Sequence, residues 1–421
     1  MKRLLSNSFF VDTLKVVAGT AGGRIILIAA LPIATRLYSP DDFALLAVFM
    51  ALTTTFAVVA CLRLELAIPL ADDDKDAAHL LVLALIAASA VSLLLLTIAT
   101  LIPETVTRGI GTPNLAPFLW LVPVGVFMAA SYSALQFWAT RARRFGTIAR
   151  TRIGQATTGA ATMLALGWLG IVPLGLLLGN MFTIGAGSVL LVVQTLRIDG
   201  SLLRRMRRQN LNKTLRRFRR YPLFSTPEAL ANIAGIQVPI LIIAALSGTE
   251  AGYLFLAMQI MAAPMTLIGA SIGQVYVSRA PEQLKNGTLW PFTKNMMIKQ
   301  FLIGAGPIAA IGITAPIVFP FILGDEWVRS GEIAAVSIPW MIFQFVASPV
   351  STVMFLVNRH AQLLAIRIAT VIFKVAFIMV AGQLGFGIVT AFAISNALVY
   401  GALILVFALA AHATKLGDTH G

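Results

Sequence analysis

The chain has 421 residues, 58% of them hydrophobic and only 12% charged, with a formal net charge of +15. Its mean hydropathy is +0.87, far more apolar surface than a soluble domain can use, so composition excludes a soluble fold and predicts a polytopic all-α membrane protein. One cysteine, Cys61, excludes an internal disulfide framework, and four scattered histidines argue against a metal cluster.

Taken in chain order, Met1-Lys2-Arg3 opens like a signal peptide, but Asp12 and Lys15 interrupt the apolar run. The segment reads as a retained amphipathic lead-in. Apolar segments then recur at about Leu14–Thr35, Phe43–Ile68, Ala78–Ile102, Leu115–Thr140, Ile148–Gly170 and Pro173–Gln194. After a polar loop come about Glu228–Leu246, Gly252–Val277, Met297–Leu323, Ile333–Val357, Leu363–Gly382 and Phe386–His412. Each suits one helical crossing of hydrocarbon, giving about 12 transmembrane helices. Period-2 alternation is missing, which argues against a transmembrane barrel.

The loops separate by charge. One set collects Lys2 and Arg3, the run from Arg141 to Arg152, Arg279, Lys285, Lys294, Arg359 and Lys415. It also holds the central stretch from Arg197 to Arg220. The opposite set holds little beyond Arg36, Arg108 and Arg329. The positive-inside rule therefore places both termini and the central loop in the cytoplasm. The acidic run Asp72-Asp73-Asp74-Lys75-Asp76 falls on that side too, but acidic residues weigh little in the rule. The division predicts an N-terminal six-helix bundle over 1–196, a basic linker over 197–221 and a C-terminal six-helix bundle over 222–421. A faint likeness between Ser39–Ala47 and Ser247–Phe255 suggests a parallel repeat, with the substrate site between the halves.

Leu31-Pro32-Ile33-Ala34-Thr35-Arg36-Leu37-Tyr38-Ser39-Pro40-Asp41-Asp42-Phe43 resembles the first helix and loop of bacterial polysaccharide flippases. These are the O-antigen and exopolysaccharide translocases of the multidrug/oligosaccharidyl-lipid/polysaccharide exporter superfamily. The similarity continues through Leu62–Leu70, the acidic run, Tyr221–Glu228 and Gly324-Asp325-Glu326-Trp327. The resemblance implies two six-helix bundles in a V around a central cavity in the inner membrane. The implied cargo is a polyprenyl-pyrophosphate-linked oligosaccharide, moved to the periplasmic leaflet by alternating access. Other implied partners are membrane lipids and the polymerase and chain-length machinery. No cofactor and no nucleic acid is called for. Arg24, Arg36, Arg63 and Glu65 match the family pattern.

The residues point the same way. Arg24 sits mid-span after Gly19-Thr20-Ala21-Gly22-Gly23, where a charge is costly unless it faces water or a partner. The glycines let a helix or a ligand approach. Guanidinium grips phosphate oxygens through a planar fork, which suits a pyrophosphate. Arg367 and Lys374, seven residues apart, share one helical face and repel each other unless an anion sits there. Asn232 and Gln259 are polar interior residues whose favoured role is helix–helix hydrogen bonding, and both are substrate-binding candidates on a sugar path. Arg36, Arg63, Glu65 and Glu228 are gating or coupling candidates. Arg63 and Glu65, two apart on one helix, are expected to face different ways and not pair. Ser225-Thr226-Pro227-Glu228 predicts a capping box with Ser225 as N-cap; the alternative for Glu228 is a protonatable acid. No nucleophile elbow, zinc motif or phosphate-binding loop occurs, so the chain is not read as an enzyme. Two alternatives stand beside the flippase: a drug/cation antiporter of the same superfamily, and a membrane polysaccharide polymerase.

Overall fold

A computed structural model of the chain describes residues 2–204, 209–263, 265, 269–357 and 359–417. It is all-α in the described residues. In chain order the helices are α1 (Lys2–Leu37), α2 (Pro40–Ala60), α3 (Asp74–Leu101), α4 (Pro103–Ile110), α5 (Leu121–Arg141), α6 (Phe145–Trp168), α7 (Leu174–Gly185), α8 (Gly187–Arg204) and α9 (Gln209–Arg217). They continue with α10 (Thr226–Met261), α11 (Ala270–Lys285), α12 (Leu289–Leu323), α13 (Val328–Val336), α14 (Ile338–Val350), α15 (Val353–Leu356), α16 (His360–Gln383) and α17 (Ile388–Gly417). Nine helical stretches of the described residues are long and apolar enough to cross a membrane, or ten if the bent α13–α14 pair is one crossing. One of the nine is the stretch Tyr221–Met261, 41 residues long. It breaks at Ser247 (φ −146°) and Gly248 (φ 12°), so its two arms correspond to two of the expected spans. The polar helix α6, with Arg150 and Arg152, matches one more.

Large apolar side chains stay exposed along these helices, among them Leu93, Leu101, Ile317, Phe321, Leu405 and Leu409. Water would penalise such a belt; hydrocarbon does not. The protein is a multi-pass membrane protein.

Two compact units form, Met1–Gly248 and Thr249–Gly421. The division follows packing and falls at the break in α10, whereas the boundary drawn from sequence followed charge. The basic segment and the first arm of α10 pack with the first unit. Gln237 of that arm donates to Thr54 Oγ1 of α2 at 3.0 Å, so this polar residue does bond helix to helix. In the first unit α1 lies along α6. A methyl group on Gly19 would come within 2.6 Å of Ala149 Cα, and one on Gly23 within 3.0 Å of the Arg152 carbonyl. This is a Gly-x-x-x-Gly contact, where small residues let two backbones approach. In the second unit Trp327 is fully buried and meets Tyr253 edge to face, with ring centroids 5.9 Å apart. The Gly324–Trp327 motif is thus a core contact of that unit.

Helices α6 and α16 match turn for turn. Each has 24 residues. Arg144 (φ −86°, ψ 50°) and Arg359 (φ −96°, ψ 44°) stand at their N-caps. Their amides donate to Ala139 O at 2.8 Å and Met354 O at 2.9 Å. Each helix ends on a leucine and then a left-handed glycine, Gly170 (φ 72°) or Gly385 (φ 77°), where only glycine is free of strain. Arg152 and Arg367 are each the eighth residue of their helix.

Candidate functional site

In the first unit Arg24 is half-buried on α1, one residue beyond the Gly23 contact with Arg152. The glycines before it admit a helix, α6, so the close approach that sequence left open is a helix contact. Arg152 therefore joins Arg24 as a second cation beside the same helix pair. Its Nη2 donates to Gln136 Oε1 at 2.9 Å, and its guanidinium lies 5.5 Å from the centroid of the Tyr132 ring. The sequence analysis places Arg152 among the topology-setting loop arginines. Its tell-tale was a position inside the fifth span rather than before it.

Arg63 and Glu65 correct an expectation. They do pair, Arg63 Nη1 to Glu65 Oε1, at 3.6 Å. The reason is the backbone: α2 stops at Ala60, Leu62 (φ 52°) and Arg63 (φ 58°) turn left-handed, and a 3-10 turn, Leu64–Leu70, follows. Helical spacing does not apply across such a corner, and two β-carbon-bearing residues there hold strain. Glu65 is 3% exposed and its Oε2 has no hydrogen-bond partner.

Glu228 brings a second correction. The capping box is not formed, because Ser225 closes a π-helical turn, Tyr221–Ser225, that runs directly into α10. Thr226 Oγ1 instead reaches back to Tyr221 O at 3.4 Å. Glu228 and Asn232, both half-buried, stand one turn apart on the first arm of α10. Arg36 is exposed in the last turn of α1.

Sequence reading missed the ionic anchors of the basic side. Arg144 grips Asp199 through both carboxylate oxygens, at 2.8 and 2.7 Å, and Trp138 Nε1 adds a bond of 2.8 Å. Arg141 reaches Asp74 at 3.0 Å and the carbonyls of Ile68 and Ala71. Arg217 of α9 bridges Asp72 and Asp76, and Thr214 approaches Asp76 at 3.4 Å. The Asp72 bond holds the Arg217 guanidinium above its ordinary pKa. The acidic run, an oddity in the sequence, is the counter-charge for the arginines around it.

In the second unit Lys374 is 5% exposed, with Nζ 5.4 Å from the centroid of the Tyr400 ring on α17. Arg367 lies two turns earlier on the same face of α16, and its Nε is buried without a hydrogen-bond partner. Gln259 is half-buried on the second arm of α10. Asn396 bonds within its own helix, Nδ2 to Phe392 O at 2.9 Å. Arg329 ties Glu250 (2.9 Å) to Glu332 (2.8 Å). Among the described residues no cluster of three metal-ligating side chains occurs.

A family model described as polysaccharide biosynthesis protein matches residues 33–332. The chain belongs to that family. No curated protein sequence matches it. Among solved structures, this family member is similar to the lipid II flippase MurJ in an inward closed conformation, with TM-score 0.72 and 13% identity over 97% of this chain and 90% of that one. It is also similar to an inward-facing multidrug resistance MATE transporter of the MOP superfamily, at TM-score 0.64 and 16% identity over 94% and 96%. An outward-facing MATE transporter matches at TM-score 0.59 and 14% identity over 96% of each chain. The fold is the one that these flippase and transporter structures share.

Proposed function

We propose that this protein flips a polyprenyl-pyrophosphate-linked oligosaccharide repeat unit from the cytoplasmic to the periplasmic leaflet of the bacterial inner membrane, by alternating access, for cell-surface polysaccharide synthesis. The observation that carries this reading is the placement of Arg367 and Lys374 on one face of α16, inside an apolar segment. Two like charges held together in low dielectric cost free energy that an anion between them returns. The pyrophosphate is such an anion. Arg24 serves the same cargo from α1, Asn232 and Gln259 meet sugar hydroxyls, and Arg63, Glu65, Glu228 and Arg36 serve gating or coupling. The family description and the flippase fold support this reading. The lipid tail stays in hydrocarbon, so the protein need grip only the head group.

The test is to delete the gene and measure surface glycan together with lipid-linked intermediates. Loss of polymer with completed repeat units retained on the cytoplasmic face is the expected result. Completed units that reach the periplasmic face unpolymerised would move the assignment to a polymerase. Unchanged glycan with altered sensitivity to cationic compounds would move it to an antiporter.

A further inference from the structure

Four arginines on the basic side of the first unit meet a carboxylate: Arg63 meets Glu65, Arg141 meets Asp74, Arg144 meets Asp199 and Arg217 meets Asp72 and Asp76; Arg143, Arg150, Arg197, Arg216, Arg219 and Arg220 are exposed. Arg152 differs. It is half-buried, its fixed partners are a neutral amide oxygen and an aromatic ring, and its Nε is buried without a hydrogen-bond partner. Among the described residues it makes no ion pair.

Gln155, one turn further along α6, is 4% exposed, and its Nε2 also has no partner. The two share a neighbour. A methyl group on Gly187 of α8 would touch the Tyr132 ring at 2.7 Å and Gln155 Cδ at 3.0 Å, while the Arg152 guanidinium lies over that ring. One guanidinium and one amide, each with an unused donor, thus flank one tyrosine. The ring holds the charge without neutralising it, since cation–π attraction leaves the guanidinium donors in its plane free. An uncompensated cation in a low-dielectric setting is held at a cost unless an anion visits it. The α6–α16 match adds an independent observation. Arg367 occupies the same eighth position in the second unit, and its Nε is likewise buried and unpartnered.

We propose that Arg152, with Gln155 beside it, is a phosphate-ester-binding residue of the first unit, and that the phosphate belongs to the pyrophosphate of the lipid-linked cargo. The assignment rests on the flippase reading above. Gln136 and Tyr132 orient the guanidinium, Nε and Nη donate to phosphate oxygens, and the Gln155 amide donates a further bond.

The test uses the full chain in liposomes, with a fluorescent polyprenyl-pyrophosphate-linked saccharide and its monophosphate-linked analogue as probes. Arg152→Ala is expected to lower the flipping rate of the pyrophosphate probe at least tenfold and to lower the pyrophosphate-to-monophosphate rate ratio. A purely structural loss slows both probes alike, so an unchanged ratio overturns the proposal. Arg152→Lys keeps the charge and drops Nε, and should give an intermediate ratio; it also serves if the alanine variant fails to insert. If the defect disappears when anionic phospholipid is omitted, the phosphate is that of bulk lipid and the cargo assignment is overturned. If the wild type flips neither probe, the flippase reading fails instead. Binding of the pyrophosphate probe to detergent-solubilised wild type and Arg152→Ala then decides the site: weaker binding by the variant supports it, equal binding overturns it.

Discussion

Arg24, Arg367 and Lys374 are cations inside apolar segments, and sequence alone exposed them because a charge in hydrocarbon needs a reason. What sequence could not supply was their surroundings. The Tyr400 ring beneath Lys374 comes from a helix that begins 14 residues after it, and no periodicity connects the two. Arg24→Ala is expected to abolish export while membrane insertion stays normal, read as surface polymer against protein level. Arg24→Lys should restore only part, since a point charge lacks the guanidinium fork. Tyr400→Leu removes the ring under Lys374 and should cost about 1 kcal/mol in detergent melting, whereas Tyr400→Phe should keep most of that stability. Arg63 and Glu65 show the limit of spacing rules. Their pairing depends on two left-handed residues at the corner after α2, which helical geometry does not foresee.

At the scale of elements, helix existence was legible and helix ends were less so. Apolar length predicted α3 and α16 within a few residues, whereas the span expected over Phe43–Ile68 ran on past the end of α2 at Ala60 and the one expected from Leu115 began before α5, at Leu121. The Ser225 N-cap failed because a π-helical turn leaves no helix start there for a side chain to cap. The glycines around Arg24 signalled close approach in the sequence, but only the structure names α6 as what approaches. Gly19→Leu should therefore disrupt the α1–α6 contact, at a cost of about 1–3 kcal/mol or more, seen as a lower melting temperature and poorer yield. Gly170→Ala should be milder, because that glycine has open space around it and only its positive φ to defend. Gln237→Ala should cost about 0.6 kcal/mol, the typical worth of a hydrogen bond between membrane helices.

For the whole molecule, the class was readable because the bilayer fixes both the length and the polarity of what can span it. The anchoring of the basic side was not. Asp72, Asp76, Asp199 and their arginines lie far apart in sequence, and positive-inside reasoning counts only the arginines. Reporter fusions test the proposed orientation. A fusion after Lys213 should report the cytoplasm, and one after Arg108 the periplasm; the reverse pattern would invert the direction of transport.

The break in α10 sets an order of events during synthesis. The arm up to Ser247 packs with the first unit, yet it is translated after the basic segment. A nascent chain released at the basic segment would therefore lack the arm whose Gln237 reaches Thr54 and whose Ala245 abuts Gly111. The ribosome must pass Gly248 before the first unit can close. Two co-expressed fragments divided after Gly248 should then yield a protease-resistant first piece, and fragments divided near Arg204 should not.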